Sequence, residues 1–432
     1  MPIRPLALFV LALIGQMLWA QAAAPQDLDK TTAQTAAGHT VASPAALMAA
    51  LARARGGERI LLAPGDYGRL ALTRYLKFDV KFPAPVTLAS ADPANPAVLR
   101  GLALAGVENL TLEGLAFAYR AQPGDRLYTA PFAVTDCRAI TIAGARFTGD
   151  RARGNGPPDD GHPIALGLSV RGSAGVIIAD NRITGFGRGL AVSDSRDVAV
   201  TGNDLSGLRL DGMDFAAVQR IRIAGNRIHA FAKSPDPADH PDMIQFWTAG
   251  TKTPSTDIVI EDNLLLSEGR GWTQSIFLRN ELVDQRQAGA EMFYRNVTIR
   301  QNVIVNAHLH GIFVGQAVGL TISQNTLIHD PRSDGPQRNP PLWRPRIDVS
   351  PDSRQVVLRG NAGFGIVGPR GQPDWQLADN AVIQDLSPTQ PGYYAAVFAD
   401  PFGDPARLAS FAYRPGGLLD GTRIGAAALR PQ

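Results

Sequence analysis

The sequence contains a single cysteine, Cys137, among its 432 residues. One thiol cannot form an internal disulfide, so disulfide cross-linking is excluded as a source of stability. The chain also lacks an excess of charge of either sign, because 42 basic residues face 39 acidic residues and leave a formal net charge of +3. This balance argues against nucleic acid as a partner.

Long apolar runs are absent except at the N-terminus, where the run from Leu6 to Trp19 follows Arg4 and precedes small residues. This arrangement predicts a secretory signal peptide over residues 1–22, cleaved near Ala20-Gln21-Ala22. The run is short for a membrane span. We therefore expect a bacterial protein that is secreted or periplasmic, with no membrane association after cleavage.

Glycine and proline are abundant, with 44 and 32 copies, and they favour many turns over long helices. One short helix is nevertheless predicted near the N-terminus. Ser43 and Pro44 form a helix start, residues 45–54 are strong helix formers, and Gly56-Gly57 ends the run. The strand "RILLAPGDY" follows. We interpret residues 23–60 as an N-terminal cap for a stack of strands.

Beyond residue 100 the sequence repeats a strand of alternating apolar and polar residues that ends in a polar pair. Asparagine recurs at one place of this repeat, with spacings of 22, 23, 37, 39, 23 and 36 residues, at Asn181, Asn203, Asn226, Asn263, Asn302, Asn325 and Asn361. A base period near 22 with insertions is typical of a solenoid. Asparagine tolerates the left-handed backbone of tight turns and could bond its neighbours along the stack.

Many repeats hold a second strand, such as "GMDFAAV", "MIQFWTAG", "SIFLRNEL" and "GIFVGQAV". Two or three short strands per coil of about 22 residues indicate a right-handed parallel β-helix. The helical segments of leucine-rich repeats and the four strands per blade of a β-propeller are not present. The prediction is an all-β, single-domain solenoid over residues 61–385, followed by an irregular segment, 386–432, that covers the last coil.

The chain resembles the pectate-lyase-like superfamily of right-handed parallel β-helix proteins over roughly residues 40–385. Its opening "AALARARGGERILLAPGDY" is similar to the N-terminal cap of the chondroitinase B and alginate lyase branch. The resemblance implies a carbohydrate-active protein and favours a polysaccharide lyase. Those lyases use a lysine and an arginine, and no lysine of this chain falls clearly at the matching place, since Lys252 lies in a loop.

Aligning the coils places chemically active residues side by side, because equivalent positions of stacked strands lie about 4.8 Å apart. One inward-facing column consists of Met213, Ile244, Ile276 and Ile312. One outward-facing column consists of Asp214, Gln245, Phe277 and Phe313. Asp211, Asp242, Gln274 and His310 share the strand entrance. Two positions before the strand entrance, the same coils carry Arg209, His240, Trp272 and His308. The longest insertions fall in the same coils, which predicts a binding groove on this face.

The predicted catalytic residues are those that could move protons or neutralise charge there; they are His240, Asp242, Arg279, His308 and His310. The predicted substrate-binding residues are Asp211, Asp214, Gln245, Trp247, Asn280, Glu281 and Lys252. Aromatic faces stack on sugar rings, and an arginine pairs with a carboxylate or sulfate.

Four functions remain open from the sequence. β-Elimination would use His240 or His310 as base and Arg279 to neutralise a uronate. Hydrolysis would use two of Asp211, Asp214 and Asp242. C5-epimerisation and non-catalytic polysaccharide binding are the other two. We expect an anionic polysaccharide as partner and a monomeric protein. No cofactor is required by these residues, although clustered acids allow calcium.

Overall fold

The computed structural model describes residues 39–236, 238–335 and 339–431. The predicted signal peptide, residues 1–22, lies outside the described residues. The described part is a right-handed parallel β-helix, as the sequence predicts, and its coils contribute strands to three long parallel sheets. Within the described residues, no helix is long and apolar enough to cross a membrane.

The first sheet has thirteen strands in the described part of the chain, stacked in chain order. Its strands are His39–Val41, Arg59–Leu62, Lys81–Ser90, Glu108–Glu113, Arg138–Ala143, Ala174–Ala179, Arg196–Thr201, Gln219–Ala224, Thr256–Glu261, Tyr294–Arg300, Ala317–Ser323, Arg354–Arg359 and Trp375–Ala378.

The second sheet has eleven shorter strands among the described residues. They are Val98–Leu99, Ala116–Ala118, Arg146–Thr148, Arg182–Thr184, Asp204–Ser206, Arg227–His229, Leu264–Leu266, Val303–Asn306, Thr326–His329, Ala362–Gly363 and Ala381–Val382.

The third sheet, also of eleven strands in the described residues, carries the candidate functional side chains. It comprises Arg69–Leu72, Gly101–Ala105, Phe132–Thr135, Leu166–Arg171, Arg188–Ser193, Met213–Ala216, Asp242–Trp247, Gln274–Leu278, His310–Val314, Arg346–Val349 and Ile366–Val367. The strands Asp150–Arg151 and Pro163–Ile164 form a separate antiparallel pair.

Helices are few and short. The helix Pro44–Arg53 begins where the Ser43 side chain accepts a hydrogen bond from the Ala46 N–H, and it buries Leu47 and Leu51 at the N-terminal end of the core. The other helical segments are single turns, at Glu281–Asp284, Ala290–Met292, Pro331–Ser333, Pro340–Trp343, Tyr394–Ala396, Leu408–Phe411 and Ala427–Leu429.

The core is built by identical positions of successive coils. Met213, Ile244, Ile276 and Ile312 are paired in register along the third sheet, and each is fully buried. The same period-2 alternation fills the core from the other two sheets, because every second side chain of a strand points inward. The alignment of these strands read from the sequence is therefore the register of the structure.

The asparagines form a buried ladder along one corner of the solenoid. In each step the backbone N–H and the Nδ2 group of one asparagine donate to the Oδ1 of the next, as from Asn226 to Asn263 at 3.0 Å for both bonds. The same Nδ2 group donates to a main-chain carbonyl, that of Val200 for Asn226. Asn380 extends the seven predicted members by one.

The C-terminal segment, residues 386–432, contacts the last coil at the end of the second sheet, where the N–H of Gln384 donates to the carbonyl of Gly392 and the N–H of Tyr394 donates to that of Gln384. It packs against the outer face of the second sheet, where Phe398, Phe411 and Tyr413 cover Val303 and Val305 in a small apolar cluster of their own. A hydrogen bond of 2.6 Å joins the hydroxyls of Tyr413 and Thr326.

Asn263→Ala is predicted to lower the free energy of unfolding by about 2–4 kcal/mol. The change leaves the N–H of Asn226 buried without a partner, at about 1–3 kcal/mol, and removes the side-chain hydrogen bond to the carbonyl of Ile223, at about 1 kcal/mol. Urea denaturation monitored by circular dichroism measures the difference. The exposed Asn296, which bonds Asp257, provides the control. An Asn263→Ala midpoint no lower than that of Asn296→Ala would contradict a stabilising ladder.

Candidate functional site

The candidate site lies on the outer face of the third sheet, where three adjacent strands begin. The N–H of Gly189 donates to the carbonyl of Asp211, and the N–H of Gly212 donates to that of Asp242. Arg188, Asp211 and Asp242 therefore follow one another along the stack, about 4.8 Å apart per coil. Arg188 was not identified from the sequence, which aligned only the coils that begin with Asp211.

Asp211 and Asp214 belong to the same coil. Between them, the backbone at Gly212 lies very close to the backbone of the next coil at Met243. A side chain at Gly212 would place its Cβ 2.4 Å from the carbonyl oxygen of Met243, which is too near for any residue but glycine. Gly212 thus allows the chain to run tightly against the next coil. As a result Asp211, Asp214 and Asp242 meet in one cluster, which we call the carboxyl trio.

The carboxyl trio has one cation. The guanidinium of Arg188 lies 3.0 Å from Asp211 Oδ2 and 3.4 Å from Asp214 Oδ2. Asp211 Oδ1 also accepts the N–H of Asp242 at 3.0 Å. The two carboxyl oxygens of Asp242 are buried and accept no hydrogen bond within the described residues. One positive charge therefore faces three acids.

Burial of this kind favours the neutral form of a carboxylic acid. Desolvation, followed by the charge of Asp211, raises the pKa of Asp214 well above its usual range. Desolvation and the same neighbour raise the pKa of Asp242 well above the usual range too. For Asp211 burial raises the pKa, while Arg188 opposes the rise. The trio therefore holds protons at a pH where surface carboxyls are ionised.

The sequence places these acids on an accessible face, and the structure corrects this expectation. Asp214 and Asp242 are 1% and 0% exposed, and Asp211 is 3% exposed. The outward-facing positions are covered because neighbouring loops fold over the strand entrance. Asp211 lines a pocket whose wall does not include Asp214 or Asp242.

That pocket has a volume of about 460 Å³ and opens on the face that the sequence singled out. Its walls combine charged, polar and aromatic side chains; among them are Arg188, Asp211, His240, Gln245, Trp247 and Glu281. A larger pocket of about 540 Å³ lies on the first sheet, beside residues 422–424. It holds no buried carboxyl, so we assign the chemistry to the pocket over Asp211.

His240 lines the pocket and is exposed. Its Nδ1 lies 2.8 Å from the carbonyl oxygen of Ala238. Because a carbonyl can only accept, Nδ1 carries the hydrogen, and Nε2 keeps a lone pair when the ring is neutral. His240 is thereby prepared to act as a base at Nε2.

The loop that carries His240 is anchored by a buried ion-pair network. The side chain of Arg209 is fully buried, and its Nε and NH2 groups bond both carboxyl oxygens of Asp239 at 2.6 and 3.2 Å. Its NH1 group bonds Asp159 at 2.7 Å. The sequence placed Arg209 on the groove face, but the structure places it inside, because Asp159 and Asp239 satisfy its donors there.

His308 and His310 lie farther along the same face, in an aromatic stack. Trp272 stacks on His308 with ring centres 6.0 Å apart, and Phe277 stacks on His310 at 5.1 Å. The ammonium of Lys233 lies 3.8 Å from the centre of a Trp272 ring. Burial lowers the pKa of His308 to about 3 and that of His310 to about 4. Both rings are therefore neutral above pH 5.

The remaining predicted residues are divided between the pocket and its surroundings. Glu281 lines the pocket and accepts the N–H of Thr248 at 2.9 Å. Asn280 is buried behind it, bonded to the Thr248 hydroxyl and the Met292 carbonyl. Arg279 is exposed outside the pocket and pairs with Asp284 at 3.3 Å. Lys252 is exposed in a loop, away from the pocket lining.

Calcium was left open by the sequence, and the donor set can be tested for it. Within the described ranges, no group of three or more histidine, cysteine, aspartate or glutamate side chains is arranged to hold a metal ion. The guanidinium of Arg188 occupies the place of a cation beside Asp211 and Asp214. The residues of the trio therefore do not fit a calcium site.

Comparison with known proteins supports the fold. A family model described as "Right handed beta helix region" matches residues 166–331. No curated protein sequence matches the chain. The Dettilon tailspike protein (gp208) is similar in structure, with a TM-score of 0.50 and 14% identity over 78% of this chain. The match spans 64% of the tailspike chain.

Two enzymes of known structure also match at lower TM-scores. Pectate lyase Pel9A has a TM-score of 0.43 and 14% identity, with coverage of 89% of this chain and 92% of its own. The alginate lyase from Paenibacillus sp. str. FPU-7 has a TM-score of 0.35 and 14% identity, with coverage of 79% and 98%.

Replacing Asp214 with Asn is predicted to stabilise the protein increasingly as the pH rises. A carboxyl whose pKa is raised on folding contributes stability below its ordinary pKa, and this contribution is lost as the pH rises through the raised value. Asn cannot ionise, so it avoids the loss. We expect the variant to exceed the wild type by about 1 kcal/mol or more at pH 8, and by less at pH 5.

Thermal denaturation at pH 5 and pH 8 measures this difference. Asp194→Asn is the matched control, because Asp194 is an exposed carboxyl that pairs with exposed Arg171 on the same sheet. A difference between Asp214→Asn and wild type that is the same at both pH values would show that Asp214 is ionised throughout.

Arg209→Met is predicted to lower the free energy of unfolding by about 3–5 kcal/mol, because it leaves Asp239 buried and unpaired. Arg220→Met is the control, since Arg220 pairs with Asp197 in an equally bidentate way at the surface. Urea denaturation of both variants makes the comparison. Equal midpoints for the two would contradict an anchoring role of Arg209.

Proposed function

We propose that this protein, a right-handed parallel β-helix with the fold of the pectate-lyase-like superfamily, is a carbohydrate-active enzyme that hydrolyses a polysaccharide at the pocket over Asp211. The observation that carries the proposal is the carboxyl trio, three buried acids beside Arg188, of which Asp211 lines the pocket and Asp214 and Asp242 lie behind it. Groups with pKa values shifted by burial and by like charge are typical of catalytic sites.

Hydrolysis of a glycosidic bond needs one group that protonates the leaving oxygen and another that activates water. In this proposal Asp211 protonates the leaving oxygen, because it is the member of the trio that lines the pocket. Burial raises the pKa of Asp214 and Asp242 well above the usual range, which favours the proton-bearing form of the cluster. Glu281, or the Nε2 lone pair of His240, activates water.

Substrate binding is assigned to Trp247 and Gln245. Trp247 is half-buried in the pocket wall and can stack on a sugar ring, while the Gln245 amide can bond its hydroxyls. The wall carries Asp236 and Glu281 in addition to Asp211. The acidic lining favours a neutral sugar at the cleaved bond, because a uronate carboxylate would be repelled.

β-Elimination is a second candidate function, favoured by the tautomer of His240. A neutral imidazole with a free Nε2 lone pair can remove the proton beside a uronate carboxylate. Gln245 in the same pocket can donate to that carboxylate. The predicted neutraliser Arg279 is outside the pocket and paired with Asp284, which makes elimination the weaker proposal.

Asp211→Asn is predicted to reduce the rate of polysaccharide hydrolysis by about 100-fold or more, as expected for loss of a general acid. The assay measures new reducing ends on a panel of neutral and acidic polysaccharides, and ultraviolet absorbance of unsaturated ends in parallel. Asp194→Asn should retain full activity, because its carboxyl is exposed away from the pocket.

The two assays separate the candidates. Reducing ends without ultraviolet absorbance, lost in Asp211→Asn, would support hydrolysis. Absorbance that disappears in His240→Ala and persists in Asp211→Asn would support elimination in its place. An Asp211→Asn variant as active as Asp194→Asn would contradict the role of the trio in either reaction.

A further inference from the structure

A patch of aromatic side chains begins one coil beyond the pocket over Asp211. Gln245 in the pocket wall is paired in register with Phe277 of the next strand, and Phe277 is paired with Phe313 of the strand after it. The Phe277 ring lies 5.1 Å from the His310 ring and 4.8 Å from the Phe313 ring, measured between centres. Because each coil adds about 4.8 Å, the patch begins about that far from the pocket wall.

Lys233 supplies a cation at the edge of this patch that no acid of the described residues pairs with. Its ammonium lies over a ring of Trp272, 3.8 Å from the ring centre. The acid that acts on its charge is Asp239, but both carboxyl oxygens of Asp239 are bonded to Arg209. Burial lowers the pKa of Lys233, and Asp239 opposes the change only in part. A negative group bound beside Lys233 would offset the cost of this burial.

A second cation, at the far end of the patch, already has a partner. Arg346 pairs in register with His310, and its NH2 group lies 3.3 Å from Asp348. Lys233 belongs to the loop that also carries His240, whereas Arg346 lies three strands farther along the third sheet. The positive charge that is available to a ligand is therefore at the end of the patch nearer the pocket.

The two histidines of the patch offer different hydrogen-bonding groups. Nδ1 of His308 accepts the N–H of His310 at 3.1 Å, so Nε2 of the neutral His308 ring carries the hydrogen. Nδ1 of His310 lies 2.7 Å from the amide oxygen of Gln274, so Nε2 of that ring keeps a lone pair. Burial, His310 and Lys233 together lower the pKa of His308, which places the ammonium of Lys233 near this donor.

These groups suit one class of ligand. An ammonium and an N–H donor match the two oxygens of a carboxylate, and a free ring nitrogen accepts a sugar hydroxyl. Aromatic side chains provide apolar area for the C–H groups of a sugar ring. A neutral sugar would leave Lys233 without an anion, whereas a hexuronate uses every one of these groups.

We propose that this patch is a subsite for a uronate residue of the polysaccharide that is cleaved over Asp211. Its members are Lys233, Trp272, Phe277, His308, His310 and Phe313. The substrate class is then a mixed polysaccharide, with a neutral sugar in the pocket and an acidic sugar farther along the stack. The inference rests on the proposed function for the position of the cleaved bond.

Nuclear magnetic resonance of the histidine ring C–H groups at pH 7 tests the subsite without any need for catalysis. Glucuronate and galacturonate are the probes, and glucose and galactose are the neutral controls. Both uronates should shift the resonances of His308 and His310, with a roughly millimolar Kd for a single sugar. The two hexoses should shift them far less. The variants His308→Gln and His310→Gln assign the resonances.

Lys233→Met is expected to weaken uronate binding about tenfold or more, as for the loss of a hydrogen bond to a charged group. The methionine keeps an unbranched chain beside Trp272 while removing the charge. Lys77→Met is the matched control, because Lys77 is exposed in the first coils. This control should bind both uronates as the wild type does.

A second experiment uses the polymer that releases the most reducing ends in the hydrolysis assay. The wild type is given this polymer in its native form and after reduction of its carboxyl groups to alcohols, which removes only the charge. The native form should have the lower KM, by about tenfold or more. Lys233→Met should remove most of this difference, and Lys77→Met should preserve it.

Uronates that shift neither histidine, or that bind Lys233→Met as tightly as the wild type, would overturn the subsite. So would an active polymer that contains no uronate, or one whose carboxyl-reduced form is cleaved equally well, and in both cases hydrolysis over Asp211 would stand. Uronate binding that depends on Lys233, with no reducing ends from any polymer, would support the subsite and reject the proposed hydrolysis.

Discussion

Parallel hydrogen bonding between successive coils, at about 4.8 Å per step, is the constraint on which the rest of the structure depends. It forces equivalent residues of different coils into contact. At one corner this produces the asparagine ladder, in which each side chain satisfies the N–H of the residue before it. Buried amides and carbonyls are expensive when unpaired, so the ladder allows a long, irregular chain to keep one register.

The same stacking creates the candidate site. Residues of like charge that are distant in sequence, Asp211 and Asp242, become neighbours because their coils are neighbours. Gly212 brings Asp214 into the group, and all three acids are buried. The result is electrostatically unfavourable for stability and useful for proton transfer, a trade-off that is common at active sites. Arg188 offsets part of this cost, because it pairs with Asp211 and Asp214.

The repeat, the fold and the register of the third-sheet strands could be predicted from the sequence, because period-2 alternation and a recurring asparagine mark equivalent positions. Burial could not be predicted. Asp214 is outward in the pleat and Asp242 stands at the strand entrance, yet both are buried, since loops of irregular sequence decide what lies above a strand. Arg188 was missed because the alignment began one coil later, at Asp211, although Arg188 occupies the equivalent place at the entrance of the preceding strand. The C-terminal segment packs on a sheet face that no local pattern identifies as apolar.

The most direct test of the central claim is a crystal structure of the Asp211→Asn variant with a bound oligosaccharide from the active polymer. If the carboxyl trio is the proton source, the bound oligosaccharide will place a sugar ring against Trp247 and a glycosidic oxygen within hydrogen-bonding distance of residue 211. An oligosaccharide bound instead against His308 and His310, with the pocket over residue 211 empty, would contradict it and move the chemistry to the aromatic stack.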